Sequence, residues 1–249
     1  MRELFIDCSR GLAGDMLSAA LLELCPDRED TLHKLNAIGI PEVRYEASRV
    51  RSYSISGTHL SVSYKGQQEA PGCQGAHHDH HHRHLFDIRQ IVEKLDLSDS
   101  VKAHVLAVYE LIAKAEAAVH GEPMEHIHFH ELGTMDAVAD ISAVCMMIEE
   151  LGVEHITATP ICTGFGSVHC AHGILPVPAP ATALLLEGLP SFAGDLEGEL
   201  CTPTGTALVK HFVDTFGQQP LMTVTAIGYG IGKKDFGRLS CVRASLGES

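Results

Sequence analysis

The stretch from His120 to Asp140, HGEPMEHIHFHELGTMDAVAD, concentrates side chains that can do chemistry. His126, His128 and His130 alternate, and Glu131 follows directly. In an extended strand alternate side chains share a face, with about 6.6 Å between their Cα atoms. Such a strand would line up the three imidazoles and turn Ile127 and Phe129 into the core. Neutral imidazole is the commonest protein ligand for divalent transition metals, and carboxylates at the end of the same strand could complete the shell. A solvated strand edge that uses histidine is the alternative. Asp136 and Asp140 lie four apart on one face of a helix near its start, where like charges repel mildly. The helix dipole is reason enough for Asp136. Asp140 gains less from it, and a shared cation or donor network accounts better for the pair.

Other candidates are spread along the chain. Leu4, Phe5 and Ile6 form a short apolar run ending at Asp7, the pattern of a strand buried on both faces. Gly11-Leu-Ala-Gly14 then leads into a helix over 15–24, with Met16, Ala20 and Leu24 in its apolar stripe. Strand, glycine loop and helix can cradle a phosphate on backbone N–H groups, although the Gly-Lys-Ser/Thr ending of a P-loop is missing. Asp7 sits where crevices form in α/β sheets; Asp15 flanks the loop and also suits an N-cap. His169 and His172 are either a second ligand pair or two polar loop residues. Cys201-Thr-Pro-Thr-Gly205 opens a helix over 206–216, as an anion site or by simple capping. Gly228-Tyr-Gly230-Ile-Gly232 reads as a flexible glycine loop leading to Lys233, Lys234 and Arg238, which form either a phosphate site or a solvated turn.

The elements that must position these residues read as α/β, a mixed α+β sheet with flanking helices. Residues 1–65 hold the first strand, loop and helix, a second helix over 29–38, and a hairpin over 43–64 turning at Ser56-Gly57. Residues 66–84, with six histidines from His77 to His84, have almost no apolar side chains, so a flexible loop is expected. It either captures divalent ions or is a linker with incidental metal affinity. Residues 85–249 supply helices over 86–95 and 99–119, the second capped by Ser98 and stopped by Gly121. Val101, Val105, Val108, Ile112, Ala115 and Val119 make its apolar face. A helix from Thr134 to Leu151 carries the two aspartates, and a strand over 155–162 follows. A helix starts at Pro180 and ends at Gly188, and a last strand spans 241–246.

Composition bounds the function. The 249 residues carry a net charge of −14, which argues against nonspecific nucleic-acid or anionic-membrane binding. Eight cysteines without a C-x-x-C pair favour a reduced, cytoplasmic protein. No apolar run approaches the ~18 residues of a spanning helix.

Taken together, DCSRGLAGDM at 7–16, VHG at 119–121, HFHELG at 128–133, the Asp136/Asp140 pair, AHGILPVPAPAT at 171–182, ELCTPTG at 199–205 and IGYGIGKKDF at 227–236 resemble the nickel insertion proteins of LarC type. The resemblance covers essentially the whole chain in order. It implies insertion of nickel into a pyridinium bisthiocarboxylate mononucleotide, forming Ni–S and Ni–C bonds with consumption of CTP and with Mg or Mn, to give the nickel-pincer cofactor of lactate racemase-type enzymes. Forming the Ni–C bond displaces a ring proton, so a base is needed; Asp7, Glu131 and Asp136 are the candidates. The acceptor's phosphate suits the Gly11–Gly14 loop with Asp15, or Lys233 and Lys234. His126, His128, His130, Asp140, His169 and His172 are the candidate metal ligands. The implied partners are the nucleotide-like acceptor, a lactate racemase-type apoenzyme and a C-terminal nucleotide-binding segment, and a homo-oligomer is expected. Cys8-Ser9-Arg10 departs from the family's usual aromatic-Ser before Gly11, and Ser249 falls near where the family's further C-terminal domain begins. The rival readings are a metal-dependent hydrolase built on His128, His130 and Asp136, and a nickel store working through His77–His84.

Overall fold

The computed structural model describes residues 1–68, 84–127, 129, 135–170 and 173–249. His128, His130, Glu131, Thr134, His172 and the tract before His84 lie outside them. The chain opens with β1 (Arg2–Asp7), α1 (Gly14–Leu22) and α2 (Arg28–Ala37). The hairpin β2 (Val43–Ser52) and β3 (Ile55–Tyr64) follows, with a two-residue β4 (Gln67–Gln68) on β3. Helices α3 (Leu85–Lys94), α4 (Asp99–His120) and α5 (Met135–Leu151) come next. The remainder holds β5 (His155–Ala158), β6 (Ile161–Cys162), β7 (Gly164–Phe165), the hairpin β8 (Ser167–Cys170) and β9 (Gly173–Pro176), and α6 (Pro180–Leu185). It ends with β10 (Ser191–Phe192), β11 (Gly198–Glu199), α7 (Pro203–Phe212), β12 (Thr215–Phe216), β13 (Thr223–Ile231) and β14 (Cys241–Glu248).

The main sheet is mixed, in the order β12-β5-β1-β14-β13-β3-β2. β12, β5 and β1 are parallel, β14 runs antiparallel between β1 and β13, and β13 is parallel to β3. The strands β12, β5, β1, β13 and β3 therefore all point one way, and their carboxyl ends lie along one rim of the sheet. Leu4 and Ile6 of β1 and Val242, Ala244 and Leu246 of β14 join the main core. Because side chains alternate, Asp7 and Arg243 fall on the opposite face.

Helix α1 is the hub. Every residue in it except Asp15 is buried, which is the pattern of a helix covered on all sides. The sheet side of this enclosure depends on glycine. A Cβ on Gly230 would stand 1.7 Å from the Met16 carbonyl oxygen, and one on Gly228 would stand 2.1 Å from that of Ala20. The Gly228–Gly232 run is therefore not a flexible loop. Its first two glycines lie in β13 and let the backbone of α1 rest on the strand. Glu23, buried just past α1, accepts hydrogen bonds from Thr58 Oγ1 at 2.6 Å and from the Tyr229 N–H at 3.0 Å, and it pairs with Arg49.

Several local expectations shift. Ala13, not Asp15, is the N-cap of α1. The hairpin turns at Tyr53 and Ser54, both at positive φ, while Ser56 and Gly57 lie inside β3. Gly57 is needed there because a Cβ would meet the Tyr229 carbonyl at 2.7 Å. Helix α7 starts at Pro203, capped by Thr202, and stops at Phe212, so it lies earlier than the expected 206–216. The strand read at 155–162 divides into β5 and β6. Ser98 caps α4 and Gly121 ends it in the left-handed region, as its sequence pattern requires, although Val119 is 37% exposed and leaves the apolar face. Gln67 and Gln68, read as part of the loop, pair with β3.

Candidate carboxylate site at the carboxyl rim of the sheet

Three segments far apart in sequence meet at the rim. Asp15 stands in the first turn of α1, and Asp136 and Asp140 stand in the first turns of α5. Lys233 follows the end of β13. Gly14 makes the approach of the two helices feasible, since a Cβ there would lie 2.7 Å from Asp140 Oδ2. Asp15 Oδ1 accepts the Met16 N–H at 2.8 Å, and the positive end of α1 favours carboxylates at this point. His59 completes the group from β3, which runs on past the end of β13. Its Nδ1 lies 2.9 Å from the Ile231 carbonyl oxygen. A carbonyl can only accept, so Nδ1 carries the proton and Nε2 is the remaining ring nitrogen available for chemistry.

Burial and charge set the protonation of this group. Burial pushes the Asp15 carboxyl above its ordinary range, and the charges of Lys233 and His59 pull back only part of the way. The Asp136 carboxyl is likewise raised by burial, lowered by Lys233 and raised again by the neighbouring Asp15. Two carboxyls that feel each other titrate as a unit. Tyr45 packs behind them with its hydroxyl donating to the Ala139 carbonyl at 2.8 Å. Burial and the charges of Asp140 and Asp136 hold its phenol proton firmly. The result is a pair of proton-accepting carboxyls facing a single ammonium, an arrangement suited to moving a proton beside an anionic or metal-bearing ligand.

The other sequence candidates lie elsewhere. Asp7 is on the opposite face of the sheet, where Oδ2 pairs with Arg243 at 2.7 Å and Oδ1 accepts the Ser9 N–H. Gly11 has a φ of +121°, and a Cβ there would press on the Leu200 carbonyl at 3.0 Å. Of the basic patch, Lys234 stacks on Phe236, with Nζ 5.0 Å from the ring centroid. Arg238 joins Arg10 on Asp195. Arg10, the departure in the first motif, is therefore held in an ion pair. His126 does not lie on a strand: it ends a 3-10 turn over Met124–His126 and is exposed. Ile127 and Phe129 are buried, and the Phe129 ring lies edge-on to Tyr109 at 5.8 Å. His169 is exposed on β8. Among the described residues no group of three or more His, Cys, Asp or Glu side chains is placed to hold a metal ion. The seven described cysteines are all free thiols, and no described helix is long and apolar enough to cross a membrane. His59 and Tyr45 escaped the sequence reading because no local spacing announces them. His59 reaches the site through the pairing of β3 with the distant β13, and Tyr45 through its hydroxyl on the Ala139 carbonyl of α5.

The sequence profile described as "Nickel insertion protein" matches residues 4–249. The chain belongs to the nickel insertion protein family. Among its relatives, the "Putative nickel insertion protein" of Dictyoglomus thermophilum is 38% identical over 249 residues, covering 100% of this chain and 61% of the relative. The "Pyridinium-3,5-bisthiocarboxylic acid mononucleotide nickel insertion protein" of Geobacillus kaustophilus is 38% identical over 251 residues, with 100% and 60% covered. The protein of the same name from Desulfitobacterium hafniense is 39% identical over 248 residues, with 100% and 59% covered. The chain thus spans about three-fifths of the length of these family members. No solved structure matches it.

Proposed function

We propose that this chain is the metal- and acceptor-handling part of a nickel insertase acting on a pyridinium-3,5-bisthiocarboxylate mononucleotide. Family membership and the names of the relatives support nickel as the cargo and the mononucleotide as the acceptor. The observation that carries the chemical roles is the meeting of Asp15, Asp136 and Lys233 at the sheet rim, with both carboxyls pushed toward stronger basicity. As nickel bonds to the ring carbon, that carbon's proton leaves to the Asp136 or Asp15 carboxylate, and the two thiocarboxylate sulfurs take the metal on either side. Lys233 offsets the negative charge of the acceptor. Asp7, committed to Arg243, is a positioning residue at most. Nickel arrives from imidazoles, which serve Ni(II) well without the grip of a thiolate cage; His128 and His130, with Glu131, are the proposed holders. They flank the anchored Phe129 in sequence and precede Asp136 by a few residues.

In this reading CTP, with Mg or Mn, is consumed at a nucleotide-binding segment such as the longer relatives have room for. The enzyme is of lyase type, works in the cytoplasm as a homo-oligomer, and feeds a lactate racemase-type apoenzyme. The test is to incubate the chain, alone and with that segment from a longer relative, with nickel, CTP and the pincer precursor. A new nickel–thiocarboxylate absorbance band, lost in Asp136→Asn while nickel still binds, is the expected result. No band in either mixture, or an undiminished band in Asp15→Asn and Asp136→Asn alike, overturns the assignment.

A further inference from the structure

On the far side of the helical layer, α4 and α7 bring two imidazoles nose to nose. His104 Nδ1 lies 2.8 Å from His211 Nε2. The rings meet edge-on at 5.1 Å between centroids, and both pack on Phe212, at 5.1 Å from His104 and 4.6 Å from His211. Both histidines are partly buried, and neither takes part in a described ion pair. Only one proton can sit between the two nitrogens, so one of them presents a lone pair to the other. We propose that His104 and His211 form a two-imidazole site for a first-row divalent cation such as Ni(II), joining α4 to α7.

The geometry is close to what such an ion requires. With metal–nitrogen bonds of about 2.1 Å, two ligands at right angles around a six-coordinate ion stand about 3.0 Å apart. The nitrogens are already at nearly that separation, so modest ring rotations that turn both lone pairs toward one point suffice. The ion replaces the shared proton, which passes by way of solvent to the outer nitrogen of the same ring so that both imidazoles stay neutral, and water fills the ion's remaining positions from the exposed side. Burial and the neighbouring His104 also lower the His211 pKa, which keeps the ring in the neutral, ligating form near neutrality. The chain's net charge of −14 favours approach of a cation. This site is separate from the carboxylate cluster and does not rest on the insertase reading.

The test uses the full chain, natural and with His77, His78, His80, His81, His82 and His84 changed to Asn so that the tract does not mask other sites. Ni(II) alone is titrated by calorimetry, and melting is followed with and without it. An ion bound only by the folded state, at a hundredfold excess over its Kd, raises Tm by about 5 to 10 °C for a chain of this size. His104→Gln and His211→Gln retain a hydrogen-bonding partner across the helix pair but lose a strong ligand. The expected result is one fewer nickel ion per chain and loss of the Tm rise in either Gln variant, with the rise kept when the tract is changed. Gln variants that keep both the stoichiometry and the Tm rise overturn the proposal, and so does a rise that vanishes with the tract.

Discussion

Gly230→Ala tests the link between packing and site most directly. The new Cβ would stand 1.7 Å from the Met16 carbonyl oxygen and 2.8 Å from the Ala20 nitrogen, where ordinary contact starts at 3.4 Å. The obstacle is helix backbone, which has no rotamer to change, so α1 has to retreat by roughly 1.5 Å or β13 has to buckle. Overpacking costs ~1–3 kcal/mol when side chains can adjust, and here the upper end, about 3 kcal/mol, is the expectation. For a chain of this length that lowers Tm by about 6 to 12 °C. Asp15 immediately precedes Met16, so the retreat also draws its carboxyl away from Asp136 and Lys233. Nickel insertion is then expected to fall well below the natural chain's even at temperatures where the variant is fully folded. Gly217→Ala is the control: nothing lies within 4 Å of its added Cβ, and its stability is expected to hold or rise slightly. Differential scanning calorimetry and the absorbance assay for insertion read the two effects. A Gly230→Ala variant that melts within about 2 °C of the natural chain and inserts nickel normally refutes the seating of α1 on β13.

Three further outcomes follow from the same contacts. Asp136→Asn is expected to abolish insertion yet raise Tm at pH 7. The folded-state pKa of Asp136 is raised above the ordinary 3.8, so its favourable contribution is complete below that value and is lost as pH rises through the folded pKa; melting at pH 7 and at pH 4 should show the gain shrinking toward acid. Lys233→Met removes the charge that pulls both carboxyls down, so the acid limb of the insertion pH profile should move to higher pH. Glu23→Ala strands the Thr58 hydroxyl and the Tyr229 N–H and breaks the pair with Arg49, and thermal melts should show a loss of about 3 kcal/mol, or roughly 6 to 12 °C.

What the sequence makes legible is what local spacing controls. The apolar run at Leu4–Ile6 becomes β1, Ser98 caps α4, Gly121 and Gly152 take positive φ past their helices, and Met135, Val138, Ile141, Cys145 and Ile148 turn inward from α5. The ordered motifs also sufficed to point to the family. Long-range contact hides the rest. Glycine is depleted in strands, so Gly228 and Gly230 look like loop until α1 is known to lie on them. Non-glycine residues at positive φ are uncommon, so Tyr53 and Ser54 gave no sign of the hairpin turn. Asp7 and Asp15 flank one loop and look alike as candidates. They part because Asp7 follows the inward-facing Ile6 and so lands on the other face of the sheet.

The same contacts explain why three motifs far apart in the sequence belong together. In IGYGIGKKDF the glycines admit α1, which DCSRGLAGDM begins, and its first lysine faces the carboxyls that arrive. In the Asp136/Asp140 pair, Asp140 comes up against Gly14, where any side chain would collide with it. Asp140 is itself 7% exposed, so the pair has a division of labour: one carboxylate is fixed against the start of α1, and the other is left half-buried beside Asp15. Burial where α1 packs against α5 is what makes Asp15 and Asp136 hold protons more tightly. Enlarging either glycine would loosen that enclosure, rehydrate the carboxyls and return them toward ordinary acidity. Packing of α1 and proton affinity at the rim are therefore one property of the fold, and a variant that relaxes the first without changing the second would separate them.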